Sequence, residues 1–221
     1  MGTITRSFAN NITTSGVLLP ASLTNNSIAN VTAYNASVAT GGMVLISSQT
    51  ASNSASISFT TGIDSTYKEY QFWFINIRPR TDIVQFTFNL STDSGSNYNV
   101  TKTSAYFMAI HDEADTFTVL EYRTDYDLAQ STSFQNLARD LEGTDADGNL
   151  SGSLTLFNPS SATFVKHFIS RINNQETSGA SEDNFIAGYG NTTSAINAIQ
   201  FKMSSGNIDD GIIKLYGVKK S

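Results

Sequence analysis

The chain of 221 residues contains no cysteine. That single absence excludes disulfides, thiolate metal sites and cysteine nucleophiles. No run approaches the roughly 18 consecutive apolar residues of a membrane-spanning helix. No basic stretch leads into an apolar one near the start, so no secretory leader is expected. The G-x-G-x-x-G, P-loop and G-x-S-x-G patterns are missing as well. The most informative absence is charge. Between Ser7 and Ile63 there is no Asp, Glu, Lys, Arg or His. Over the whole chain charged residues make up 14%, against about a quarter in ordinary domains. A free surface normally carries charge for solubility and to block strand-edge association. The segment is therefore expected to lie against a partner. The net charge of −6 argues against nucleic-acid binding through a basic face.

Ser, Thr, Asn, Ala and Gly fill the uncharged run, with apolar residues set singly or in small groups. Phe8, Ile12, Val17, Leu18, Leu19, Leu23, Ile28 and Val31 are the candidate partner-binding positions. Residues 1–40 show neither sustained helical nor sustained alternating periodicity and read as an extended arm. Residues 41–221 read as one β domain.

The domain's signal is alternation. Residues 54–60 place Ala55, Ile57 and Phe59 on one face. In residues 67–78, Tyr70, Phe72 and Phe74 face one way and Trp73, Ile75 and Ile77 the other, which predicts a strand covered on both sides. Residues 82–91 send Val84, Phe86, Phe88 and Leu90 inward, with Gln85, Thr87, Asn89 and Ser91 outward. Further strands are expected near 101–110, 117–123, 150–158, 163–173, 184–190, 195–204 and 211–219. The last two flank Gly206-Asn207-Ile208-Asp209-Asp210-Gly211, a connection suited to a hairpin. Phe134, Leu137 and Leu141 share a helical face, so residues 133–141 predict one short helix. Together these features predict an all-β fold, an antiparallel β-sandwich of jelly-roll type.

Few residues suggest chemistry. Asp145, Asp147 and Asn149 resemble the start of a calcium loop, with oxygens at alternate positions around a glycine. Leu156 stands where the closing Glu would be, and an ordinary acidic turn is the competing reading. Ca2+ at these three residues is the one cofactor the sequence suggests; otherwise none is expected. Acids gather between His111 and Asp147, opposed there only by Arg123 and Arg139. That pattern fits a solvated face or a steering patch. His111 and His167 read as bland strand histidines. Tyr106, Tyr122, Tyr126 and Tyr189 are candidates for an aromatic sugar platform or for simple packing. The region of Asp125 and Asp127 is where a glycoside-cleaving carboxylate pair is sought.

Two segments carry a resemblance. Thr5-Arg6-Ser7-Phe8-Ala9-Asn10-Asn11-Ile12-Thr13-Thr14-Ser15-Gly16-Val17 resembles the openings of structural proteins of tailed, especially marine, bacteriophages. Ala198-Ile199-Gln200-Phe201 with Ser205 through Val218 is similar to the closing hairpin of the same group. The resemblance implies a virion component without catalytic residues: a tail-fibre or tailspike subunit, or a capsid fibre or decoration protein. It also implies homo-oligomers, trimers above all, contacts with other virion proteins through the arm, and adsorption to a host surface glycan. A carbohydrate- or receptor-binding module and a polysaccharide-degrading enzyme are the two alternatives.

Overall fold

The computed structural model describes residues 42–143, 145 and 148–219, together with two short strands at 12–13 and 16–17. The chain divides into two units, Met1–Thr40 and Gly41–Ser221. In the first, β1 (Ile12–Thr13) and β2 (Gly16–Val17) pair antiparallel, with Ile12 opposite Val17. The other arm positions, Phe8, Leu18, Leu19, Leu23, Ile28 and Val31, lie outside the described residues.

The second unit is all-β. Its strands are β3 (Met43–Thr50), β4 (Ile57–Phe59), β5 (Glu69–Pro79), β6 (Val84–Ser91), β7 (Lys102–Asp112), β8 (Thr118–Tyr122), β9 (Gln135–Leu141), β10 (Leu150–Phe157), β11 (Lys166–Glu176), β12 (Ala180–Gly190), β13 (Ala198–Met203) and β14 (Ile208–Val218). All their pairings are antiparallel. The strand order is β3-β14-β5-β10-β11-β9-β6-β13-β4. β11 meets β9 through the single pair Glu176 and Leu141. A bridge between Ser54 and Ile208 carries the segment ahead of β4 back to β14. The sheet is thereby nearly closed into a barrel-like shape. From β11 a wing extends through β12 and β7 to β8.

The interior is built from rings that alternation aims inward. Phe201 of β13 lies 5.2 Å from Phe74, 5.4 Å from Phe72 and 5.8 Å from Phe86. Phe59 and Phe88 complete the cluster, each 6.4 Å from Phe201. All six rings are buried. Fully burying each is worth about 1.5–3 kcal/mol, so β4, β5, β6 and β13 are held by one aromatic centre.

Several expectations are corrected. Residues 133–141 are not a helix; Gln135–Leu141 is strand β9, and no helix occurs among the described residues. Gln135, Leu137, Arg139 and Leu141 are all buried, although two register shifts against β6 interrupt the alternation. Two of these four are polar, so the alternation is hidden and a helical spacing of the apolar residues takes its place. The closing hairpin does not form either. β13 pairs with β6 and β4, whereas β14 pairs with β3 and β5. Residues 204–207 therefore cross from one part of the wall to the other. In that crossing the Asn207 side-chain amide donates to the Asn53 carbonyl at 3.0 Å.

Ile77 is buried with Tyr70, Phe72 and Phe74 rather than opposite them. In β5, Ile75 and Asn76 stand against the single residue Ser151, and Asn76 has φ +50°. Such a bulge shifts the alternation by one residue. The predicted cover on both sides of β5 is also incomplete, because Trp73 is exposed. Thr87, Asn89 and Ser91 of β6, expected outside, are buried. The Asn89 amide donates to the Tyr98 and Thr132 carbonyls, which lie in segments folded over that face. Ala55 is exposed, since strand β4 begins only at Ile57.

Candidate functional site

A sheet with one wet face ordinarily alternates apolar inside and polar outside. The wing breaks that rule. β11 alternates strictly, with His167, Ile169 and Arg171 on its outer face. Register places Ile169 beside Ala187 of β12, and Ala187 beside Ala105 of β7. One step along, Arg171, Phe185, Phe107 and Tyr122 form a row over four strands. On the other flank stand His167, Tyr189 and Thr103. Ile169 is 54% exposed, Phe107 42%, Leu120 72% and Tyr122 52%. Large exposed apolar side chains gathered on one outer face are a feature found at interaction surfaces, ligand grooves and aggregation-prone faces alike.

The three rows make a trough across the strands. Two adjoining depressions, of about 520 and 290 Å3, share Ala105, Ile169 and Ala187 as their floor. The flanking rows are four residues apart, or about 13 Å at roughly 3.3 Å per residue. Phe107 and Phe185 stack with centroids 4.7 Å apart and planes 2° from parallel. The Arg171 guanidinium covers the other face of Phe185 at 4.9 Å. It is also held by Asp183 at 2.6 Å, so the one cation of the wall is neutralised. His167 sits edge-on to Tyr189 at 6.0 Å.

Rings stacked across neighbouring strands turn their edges along the strand direction, into the trough. A ring edge is the positive rim of the π-system and the face is negative. The wall therefore suits aromatic faces and carbonyl oxygens.

The tyrosines named from sequence do not assemble into one platform. Tyr106 is fully buried, with its hydroxyl donating to the Asn184 side-chain oxygen. Burial pushes that phenol's pKa up. Tyr126 packs on Tyr106 at 5.5 Å and takes Arg123 over its ring. Only Tyr122 and Tyr189 stand on the outer face. The ring pair that shapes the trough, Phe107 with Phe185, was not singled out by sequence. Outward apolar residues in the alternation of β7 and β12 are the signal that could have found it.

The carboxylates of residues 121–127 are engaged locally. Asp125 accepts from Arg123 at 2.9 and 2.7 Å, which holds its pKa below the usual range. Asp127 accepts the Tyr122 hydroxyl at 2.6 Å. His111 lies 3.1 Å from Asp115 on the surface. Beneath the wing, Arg139 bridges Glu176 at 3.1 Å and Glu182 at 3.0 Å, and it also pairs with Asp140. Burial pushes the Glu182 carboxyl up to about 7. That carboxyl has no exposed surface, so it organises the interior and does not face a substrate. Lys102 is buried too, donating to the Asn89 side chain and, at 2.9 Å, to the Val100 carbonyl; burial brings its pKa down to about 7.

Of the calcium-like trio, Asp145 is exposed and its amide donates to Glu142 at 3.1 Å. The Asn149 carbonyl accepts from the Gln175 amide at 3.2 Å. Asp147 lies outside the described residues. Among the described residues no three His, Cys, Asp or Glu side chains are grouped to hold a metal. The chain matches no protein-family model, no curated protein and no solved structure.

Proposed function

We propose that this chain is a non-enzymatic structural protein of a bacteriophage virion: a tail-fibre or tailspike subunit, or a capsid fibre or decoration protein. The wall of strands reads, in finer terms, as a jelly-roll-like β-sandwich presented on the particle surface. Residues 1–40 dock on a neighbouring subunit or virion protein. The particle then serves assembly and host adsorption.

The observation that carries the proposal is the charge-free run from Ser7 to Ile63. Its last part becomes β3 and β4, the two ends of the main strand path. Its first part precedes the barrel and has no charge of its own to keep a long segment soluble. Ordering such a segment costs about 1–2 kcal/mol per residue in backbone entropy. Contacts with a partner offset that cost by strand addition and close packing of small residues.

The test is particle occupancy. Particles assembled with the full chain and with a chain lacking residues 1–40 are purified and their copy number is read by quantitative mass spectrometry. The truncated chain should be absent or strongly depleted. Incorporation at normal occupancy would refute the docking role.

The trough favours a second reading, a carbohydrate- or receptor-binding module. It is a broad exposed concavity of the wing, and it is bordered by aromatic side chains. Glycan-array binding that Tyr189→Ala abolishes would support that reading over a purely structural one.

A further inference from the structure

We infer that the trough on the outer face of β11, β12 and β7 is the acceptor for residues 1–40 of a neighbouring copy of this chain. The inference rests on the reading of residues 1–40 as an assembly arm, and it names the surface that receives the arm.

Three observations select this occupant. The first is polarity. A saccharide carries a hydroxyl on most of its carbons and needs several fixed polar partners. The trough floor, Ala105, Ile169 and Ala187, offers none, and the polar side chains are confined to the flanks, at Thr103, His167, Tyr189 and Arg171. The second is charge. Arg171 is tied to Asp183 at 2.6 Å, which leaves a neutral wall, and residues 7–40 carry no ionisable side chain. The trough floor and residues 7–40 have no charge to desolvate on contact, whereas an ordinary polar segment would bring one; the Arg171–Asp183 pair stays at the solvated flank. The third is shape. Two of the floor positions are alanines, so an extended backbone can approach closely. The rings of Phe107 and Phe185 border that space.

The contact is heterologous: the arm of one copy meets the trough of the next, and the two surfaces differ. Such contacts close into rings when the rotation permits, and otherwise propagate.

The test is complementation in solution, read by analytical ultracentrifugation. Ala187→Arg puts a long cation on the trough floor at an exposed position, with the arm intact. A chain lacking residues 1–40 keeps the trough; among the described residues the buried apolar core runs from Ala51 to Leu215. Circular dichroism and thermal melting confirm that both variants are folded, and Ile169→Ser serves as a milder second block.

The full chain should sediment as a closed oligomer and each variant alone as a monomer. An equimolar mixture should form a one-to-one complex and grow no further. A monomeric full chain, an Ala187→Arg chain that still assembles, or a mixture without a complex would each overturn the proposal. Loss of glycan binding in Ala187→Arg with assembly unchanged would assign the trough to a saccharide instead. Because no particle is involved, failure here leaves the occupancy result for residues 1–40 standing on its own.

Discussion

Replacing Phe201 with alanine should remove more stability than any change on the outer face. Phe201 is fully buried and sits among Phe59, Phe72, Phe74, Phe86 and Phe88 at 5.2–6.4 Å. Its ring bridges the strands at the end of the main path to β5. The lost transfer free energy of the side chain is about 1.5–3 kcal/mol. The five neighbours are themselves large and anchored on different strands, so they cannot collapse far. A residual cavity of about 80 Å3 at roughly 24 cal/mol per Å3 adds about 2 kcal/mol. The expected cost is therefore about 4 kcal/mol, within the range of about 3–5 for buried phenylalanines. Urea unfolding followed by tryptophan fluorescence measures it, since Trp73 lies on β5. With a slope of about 2 kcal/mol per M, the midpoint should fall by about 2 M at unchanged slope. Phe107→Ala is the control, because its ring stands half-exposed on the trough wall; it should cost about 1 kcal/mol or less. A Phe201→Ala loss below about 1.5 kcal/mol, or one equalled by Phe107→Ala, would refute the placement of the aromatic centre.

Three further outcomes follow from buried charge and backbone shape. The folded Glu182 carboxyl titrates at about 7 against a usual 4.5, so between those values the folded state holds the extra proton. Stability should therefore rise as pH falls from 8 towards 5, and Glu182→Gln should flatten that rise in melting temperature. Lys102 has the opposite sign. Its folded pKa of about 7 lies below the usual 10.5, so the unfolded state binds more protons between them. Its contribution to stability should climb from pH 7 to 10, and Lys102→Met should remove that slope in the same melts. Gly211 has φ +118°, and a Cβ there would sit 2.6 Å from the Asn76 carbonyl oxygen. Gly211→Ala should cost more than about 1 kcal/mol in chemical unfolding, whereas Gly42→Ala, which meets nothing within 4 Å, should be close to neutral.

Strand existence was legible wherever apolar alternation was clean. Phe86, Phe88 and Leu90 on β6 and Tyr70, Phe72 and Phe74 on β5 point inward as alternation requires. It failed where buried positions are polar. Gln135 and Arg139 of β9 look solvent-facing by composition, yet they are buried among Tyr126, Met108, Glu176 and Glu182. It failed again at Asn76, where one bulge residue reverses the facing of Ile77. Half of the candidate site was equally hidden. Phe107, Ile169 and Phe185 are ordinary strand residues in sequence, and only register places them in adjoining rows.

The sequence by itself determined the all-β class, the inward set of most strands and the charge-free character of residues 7–63, because these depend on residue type and local period. Partners are another matter. β13 and β14 follow one another with turn residues between them, yet they pair with β6 and β4 and with β3 and β5. That choice rests on contacts between residues far apart in the chain, where burying Phe201 against Phe72 and Phe74 outweighs the short route to a hairpin. The trough has the same origin. Alanine, isoleucine and phenylalanine on three separate strands become one surface only when antiparallel register sets Ile169, Ala187 and Ala105 side by side.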